Sequence, residues 1–208
     1  MTADGKLAFA SGRQLRISSE QDMARVHQLR NSVDAVVVGV GTVLTDDPKL
    51  TVKEKYLDGA SVSQPVRVVL DSSGKTPRDA LVVNEAARSI LIVGSGVKAS
   101  GFGPSVEILH CDCDDSGYID VKKALEALSS HGISSVLIEG GSEVIWSSLR
   151  AGVIDELWTY VGPMLVGGKE TVGMTGGIGV DVESDLITLS IIELRRLGEG
   201  VLIGYKVN

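Results

Sequence analysis

Ser135-Val136-Leu137-Ile138-Glu139-Gly140-Gly141-Ser142-Glu143-Val144-Ile145-Trp146 runs from an apolar strand, through two glycines, straight into a helical pattern. Ser135–Glu139 is a short apolar run of the kind that buries both faces of a strand. The pattern that follows predicts a helix over Ser142–Ala151, ended by Gly152. A strand that enters a helix with no intervening loop is the repeating unit of an α/β protein. The same turn also carries chemistry. Glycines let backbone amides approach a ligand, and a helix N-terminus supplies unpaired N–H groups and a favourable dipole for an anion such as a diphosphate. An ordinary turn capped by Ser142 is the competing reading at this stage.

The same alternation extends outward from this stretch. Ala35–Val40, Val66–Asp71, Ser89–Gly94 and Val106–Cys111 read as further buried strands rich in Val and Ile. Helices are predicted over Ser19–Arg30, with Ser18 and Gln21 as a capping-box signature, and over Ile119–Ser130. Beyond Gly152 the character changes. Glu156–Val161 reads as a strand, Val166–Gly179 as a glycine-rich surface loop suited to a subunit contact, and Thr188–Arg195 with Val201–Val207 as an antiparallel hairpin around Leu197-Gly198-Glu199-Gly200. No internal repeat or linker divides the chain, so residues 1–208 are read as one α/β domain with a mixed sheet flanked by helices.

Composition bounds what such a domain does. The 208 residues are 43% hydrophobic and 23% charged, which predicts a soluble globular protein with a sizeable core. A formal net charge of −7 argues against a broad nucleic-acid-binding face. No apolar run reaches membrane-spanning length and the first residues have no signal-peptide character, so the expectation is a cytoplasmic protein with no membrane partner. Cys111 and Cys113 lack the spacing and companion ligands of a zinc site, so no metal is expected.

Other candidate positions surround the strand ends. Val38-Gly39-Val40-Gly41-Thr42-Val43-Leu44-Thr45-Asp46 leaves a buried strand with two glycines, a hydroxyl at Thr42 and a carboxylate at Asp46. It lacks the third glycine of a dinucleotide fingerprint, because Leu44 stands there. Gly94-Ser95-Gly96 follows another strand; Ser72, Ser95 and Lys98 make a candidate polar rim for a ribose phosphate. Arg30 and Lys53 are candidate phosphate ligands. No Ser-His-Asp constellation emerges, and hydride transfer needs none, because a cofactor carries that chemistry.

Asp4-Gly5-Lys6-Leu7-Ala8, Val26-His27-Gln28-Leu29-Arg30, Asp34 through Val52, Val69-Leu70-Asp71-Ser72 and Leu137-Ile138-Glu139-Gly140-Gly141, in this order and spacing, resemble the riboflavin-pathway reductases. That resemblance implies a dihydrofolate-reductase-like fold, usually dimeric, and NADPH-dependent reduction of the ribosyl group of 2,5-diamino-6-ribosylamino-4(3H)-pyrimidinone 5′-phosphate. It implies cofactor binding at Thr42, Asp46, Ser72, Gly140, Gly141, Ser142 and Glu143, and substrate binding at Arg30, Leu50, Lys53 and Glu139. Gln14 falls at a substrate-side position. Three departures stand out: Lys53 replaces a bidentate arginine, Arg16 replaces a stacking tryptophan, and the short strand that usually precedes Asp-Gly-Lys is expected to be absent. Asp4 lies in a motif near the reaction centre, and the resemblance assigns no catalytic proton donor. A pterin or deaminated pyrimidine as substrate, and an inert NADPH-binding scaffold, are the alternatives.

Overall fold

The computed structural model describes all 208 residues. Five parallel strands form the main sheet: β1 (Ala35–Gly39), β2 (Val66–Asp71), β3 (Ser89–Gly94), β4 (Val106–Cys111) and β5 (Val136–Gly140), in the order β4-β3-β2-β1-β5. The reason their sequences read as unbroken apolar runs is burial on both faces. Every residue of β1 and β3 is buried. Because successive side chains alternate between faces, the strands feed two separate cores. Ala35, Val37, Val68, Leu70, Ile90 and Ile92 face one side, and Val36, Val38, Val69, Leu91 and Val93 face the other.

Four helices cover the sheet: α1 (Glu20–Ser32), α2 (Val40–Asp46), α3 (Val121–Ser130) and α4 (Ser142–Arg150). α3 closes the first core with Val121, Ala124 and Leu128. Its N-cap is Asp120, which accepts from the amides of Lys122 and Lys123. The cap of α1 differs from the Ser18–Gln21 expectation. Ser19 is the N-cap and accepts from the Asp22 amide at 3.2 Å, while Ser18 donates to the Asp22 carboxylate at 2.5 Å. The shift follows from Asp22, which is buried and needs both partners. α2 has no counterpart in the sequence reading, and β1 ends one residue earlier than expected. Val40-Gly41-Thr42-Val43-Leu44-Thr45 has poor helix propensity, so the burial of Val43 in the second core accounts for the helix better than local preference does.

The C-terminal part forms a separate antiparallel sheet, β6-β8-β7, from β6 (Glu156–Val161), β7 (Leu189–Leu197) and β8 (Gly200–Val207). The expected hairpin is present and tighter than its sequence limits suggested. Pairing continues to Leu197↔Gly200, and only Gly198-Glu199 makes the turn, with Gly198 at φ 60°. Parallel and antiparallel strands thus occupy two sheets. The first residues run beside β6: Gly162 donates to the Met1 carbonyl at 2.9 Å, and the Met1 ammonium donates to the Tyr160 carbonyl at 2.6 Å.

One buried cation organises the surroundings of β2. Arg67 is fully buried without a carboxylate partner. Its Nη1 donates to the Leu81 carbonyl at 3.1 Å and to Asn84 Oδ1 at 2.9 Å, and its Nη2 to the carbonyls of Asn84 and Ala87. It therefore folds residues 81–87 around itself. That segment in turn donates from the Leu81 amide to Asp47 Oδ1 at 2.7 Å, holding the left-handed residue that ends α2. Arg67→Leu strands these acceptors in the core. Its expected effect is a loss of about 3 kcal/mol of unfolding free energy, read as a lower urea midpoint at unchanged slope.

Candidate active site

The carboxyl ends of β1, β2 and β5 open into a cavity of about 670 Å³. This is where an open parallel sheet presents a ligand crevice, because each strand delivers its chain to a loop or helix N-terminus on the same side. Gly39 to Thr42 and Leu44 to Asp46 line it from β1 and α2. Leu70, Ser72, Ser73 and Lys75 come from β2 and the turn after it, Tyr118, Ile119 and Val121 from the approach to α3, and Glu139 to Val144 from β5 and α4. Leu7, Ala8, Gly12, Gln14 and Val172 close the remaining side.

Part of its lining is the turn with which β5 enters α4. Gly141, at φ 70°, is the N-cap, and no side chain accepts from the first-turn amides. Ser142 is thus not the cap, and those amides are left for a ligand. One close contact here requires glycine. A Cβ on Gly39 would lie 2.8 Å from Val144 Cγ2, so its absence lets α4 pack on the end of β1. Gly140 and Gly141 lie against Thr42, whose Oγ1 would be 3.5 and 3.6 Å from their added Cβ atoms. Asp46 ends α2 beside them, and desolvation pushes its carboxyl above the ordinary value.

Glu139 lines the cavity in a bidentate pair with Arg30. Arg30 Nε meets Glu139 Oε1 and Nη2 meets Oε2, both at 2.6 Å, with each side chain about 15% exposed. Arg30 Nη1 also donates to the Thr51 carbonyl at 3.2 Å. The guanidinium therefore ties α1, the 47–53 segment and β5 together.

Arg30, Leu50 and Lys53 do not line the cavity itself. Leu50 is buried in the second core with a left-handed backbone, φ 51°. Lys53 is exposed; its amide donates to Nδ1 of buried His27 at 3.2 Å. His27 stacks on Tyr56 with centroids 4.6 Å apart. Burial first, then the charges of Arg30, Lys53 and Lys55, hold His27 down to about 4. These three cations therefore surround the His27 ring.

Of the remaining expected positions, Thr42, Asp46, Ser72, Glu139, Gly140, Gly141, Ser142, Glu143 and Gln14 all line the cavity, whereas Arg16 does not. The rim of Ser72, Ser95 and Lys98 does not assemble. Ser95 donates to Asp112, and Lys98 lines a separate small cleft with Thr76 and Arg78. Gly94 instead serves packing: a Cβ there would meet the Ser72 carbonyl at 2.6 Å. Ser73, Lys75 and Tyr118 are cavity residues that the sequence reading missed. The available signal was the turn composition of Ser72-Ser73-Gly74-Lys75-Thr76-Pro77 directly after a strand.

The glycine-rich segment 166–179 is a surface loop, as expected, and it is fastened to α4. Gly176 donates to the Ser142 carbonyl at 3.0 Å and Gly177 to Glu143 Oε1 at 2.9 Å, so the segment lies on the first turn of α4. Leu7 donates to the Val172 carbonyl at 2.9 Å, joining the segment to the N-terminal residues. The approach needs glycine, since a Cβ on Gly177 would stand 2.2 Å from Trp146 Cδ1. Asp4 anchors the same segment from outside the cavity. Its carboxylate accepts from Thr2 Oγ1 and the Gly167 amide, both at 2.6 Å, and these bonds, Thr2 first, lower its pKa to about 2.

Residues 1–203 match the family described as the RibD C-terminal domain. The chain is 37% identical over 207 residues to the 2,5-diamino-6-ribosylamino-4(3H)-pyrimidinone 5′-phosphate reductase of Methanothermobacter thermautotrophicus, covering 100% of this chain and 94% of that protein. It is 35% identical over 212 residues to the riboflavin biosynthesis protein RibD of Actinobacillus pleuropneumoniae, covering all of this chain and 55% of the relative. Among solved structures, a Thermotoga maritima diaminohydroxyphosphoribosylaminopyrimidine deaminase/5-amino-6-(5-phosphoribosylamino)uracil reductase matches with a TM-score of 0.80 at 28% identity, over 100% of this chain and 54% of that one. Acinetobacter baumannii RibD shares the fold at a TM-score of 0.80 and 22% identity, with 55% of its chain covered.

Two outcomes are expected from this geometry. Gly177→Ala, with its positive φ of 72° and no room for Cβ, lifts the glycine-rich segment off α4. Faster amide exchange at positions 176 and 177 and a changed Trp146 emission report it, with a stability loss of about 1–3 kcal/mol. Asp4 has a lowered folded pKa, so its contribution is complete above its ordinary value of 3.8 and is lost as pH falls toward about 2. Asp4→Asn is therefore expected to leave the shape of an activity–pH profile between about pH 5 and 9 unchanged.

Proposed function

The chain belongs to the RibD C-terminal domain family of riboflavin-biosynthesis reductases, and on that premise we propose that this oxidoreductase reduces the ribosyl group of 2,5-diamino-6-ribosylamino-4(3H)-pyrimidinone 5′-phosphate to ribityl, using NADPH. The observation that carries the cofactor assignment is the β5–α4 turn: two glycines, one of them the N-cap, and unpaired first-turn amides in the lining of a cavity large enough for an extended ligand.

When bound, NADPH supplies the hydride. The protein's part is binding and orientation. The amides of Ser142 and Glu143 hold the diphosphate, Thr42 Oγ1 and the Asp46 carboxylate hydrogen-bond the cofactor beside it, and Ser72 serves its adenosine side. The glycine-rich segment and the N-terminal residues exclude water from the opposite side. Glu139 faces the substrate, held in place by the Arg30 fork. Arg30 and Lys53 provide positive charge for the substrate's 5′-phosphate. Two guanidinium N–H groups of Arg30 stay free for it once the bonds to Glu139 and Thr51 are made. Leu50 supports the substrate side through its backbone, its side chain being committed to the core.

We also propose a homodimer in the cytoplasm. Support for the dimer comes from β7, whose Ile191, Ile192 and Leu194 are exposed apolar side chains on one strand. No helix is long and apolar enough to cross a membrane.

Loss of NADPH absorbance with the diamino ribosylamino substrate is the direct test. Turnover of that compound is expected to exceed turnover of the deaminated pyrimidine or a pterin by roughly 10-fold or more in kcat/KM. Glu139→Gln is expected to lower kcat/KM for the substrate roughly 10- to 100-fold while NADPH affinity is kept. Cofactor binding with no turnover of any of the three compounds would favour an inert scaffold and sink the assignment.

A further inference from the structure

Leu50 to Tyr56 belong to neither sheet, and side chains take up their backbone groups one at a time. The Thr51 carbonyl accepts from Arg30 Nη1 at 3.2 Å. The Val52 amide donates to Gln64 Oε1 at 2.8 Å, and Gln64 Nε2 donates back to the Val52 carbonyl at 3.0 Å. The Lys53 amide donates to His27 Nδ1 at 3.2 Å. A single 3₁₀ turn, Glu54–Tyr56, then brings the Tyr56 ring onto the same imidazole, with 15° between the ring planes. His27 therefore grips that turn at both ends.

A histidine is a costly residue for this position. It is fully buried. Because Nδ1 accepts from the Lys53 amide, the single proton of the neutral ring sits on Nε2, and Nε2 has no hydrogen-bond partner. Burial and the surrounding cations keep the ring uncharged at neutral pH. A phenylalanine would stack on Tyr56 and strand no donor of its own. What the imidazole adds is one acceptor, and that acceptor is spent on the Lys53 amide. A polar ring kept in the core with half its hydrogen bonding unmet points to a task beyond packing.

The charges around the ring define that task. Arg30 follows His27 by one turn of α1 and holds Thr51, two residues before the amide that His27 holds. Lys53 and Lys55 make no ion pair, and Lys55 Nζ lies 4.4 Å from the Tyr56 centroid. Cations gathered without matching carboxylates suit an anionic ligand, and a phosphate is recognised only if the groups that meet it are held in a fixed relation. We propose that His27 is the positioning residue of the substrate-phosphate site: by holding the Lys53 amide, its Nδ1 fixes the backbone from which Lys53 reaches the 5′-phosphate that Arg30 also binds. The inference rests on the reading of Arg30 and Lys53 as phosphate ligands and deepens it.

The test compares kcat/KM for the ribosylamino-pyrimidine 5′-phosphate with kcat/KM for the same compound lacking its phosphate. It is made on the whole protein and on His27→Phe and His27→Asn. Phenylalanine keeps the stack on Tyr56 and removes the acceptor; asparagine loses the stack and returns an oxygen near the place of Nδ1. In His27→Phe the preference for the phosphorylated compound is expected to fall roughly 10- to 100-fold, through KM, with kcat changed by less than about 3-fold and NADPH affinity kept. In His27→Asn the preference is expected to stay within about 3-fold of the unmodified protein. If His27→Phe does not fold, His27→Gln serves in its place: its oxygen reaches the position of Nε2, so the Lys53 amide still loses its partner and the same fall is expected. An unmoved preference, an equal loss on both compounds, or an asparagine variant as impaired as the phenylalanine one overturns the positioning role and leaves the phosphate reading intact. If the unmodified protein turns over both compounds equally well, or neither, the reading of Arg30 and Lys53 fails and the role of His27 with it.

Discussion

A missing Cβ at Gly39 governs how this molecule is put together. Gly39 is the last residue of β1, the strand paired on one side with β2 and on the other with β5. Any side chain there would meet Val144 at under 3 Å, pushing the first turn of α4 away from the sheet. With glycine in place, α4 descends onto the end of β1, Thr42 lies against Gly140 and Gly141, and the unpaired amides of α4 face the same cavity as α2. The ligand crevice exists because two secondary elements approach more closely than any residue with a side chain would permit.

Around that contact, irregular segments are held by polar groups, most of them buried or half-buried, rather than by apolar packing. Asp71 fixes the turn after β2, Arg67 gathers residues 81–87, and the Arg30–Glu139 fork spans from α1 to β5. Asp4 and Glu143 hold the glycine-rich segment from two ends. Each satisfies backbone groups that a loop leaves unpaired, which is why charged residues recur at the strand ends of a chain whose core is almost entirely Val, Ile, Leu and Ala. Loops fixed this way give a cavity wall that keeps its shape, as positioning a cofactor against a substrate requires.

The glycine-rich segment shows what composition leaves open. It is the surface loop its residues suggest, and Gly176 and Gly177 are there because α4 and Trp146 leave no space for a Cβ. The same lesson applies to Gly94, which resembles part of a phosphate fingerprint and serves the approach of the Ser72 carbonyl. A glycine in sequence announces freedom or proximity without saying which, since both arise from the same absent side chain.

The sequence by itself determined the strands of the parallel sheet, because burial on both faces demands continuous Val and Ile and leaves a pattern that survives without coordinates. It determined α3, α4 and the C-terminal hairpin through local signals, and the family through blocks spread along the chain. It also marked Thr42, Asp46, Ser72 and Glu139–Glu143, whose strand-end positions follow from local order alone. Only the tertiary structure decided α2, where packing of Val43 outweighs weak propensity, and the engagement of Arg30 with Glu139 across 109 positions. Only it separated Lys75 from Lys98, one facing the cavity and the other a neighbouring cleft. Pairings between distant residues, and the direction a surface cation faces, depend on how elements pack, and no local pattern of residues encodes them.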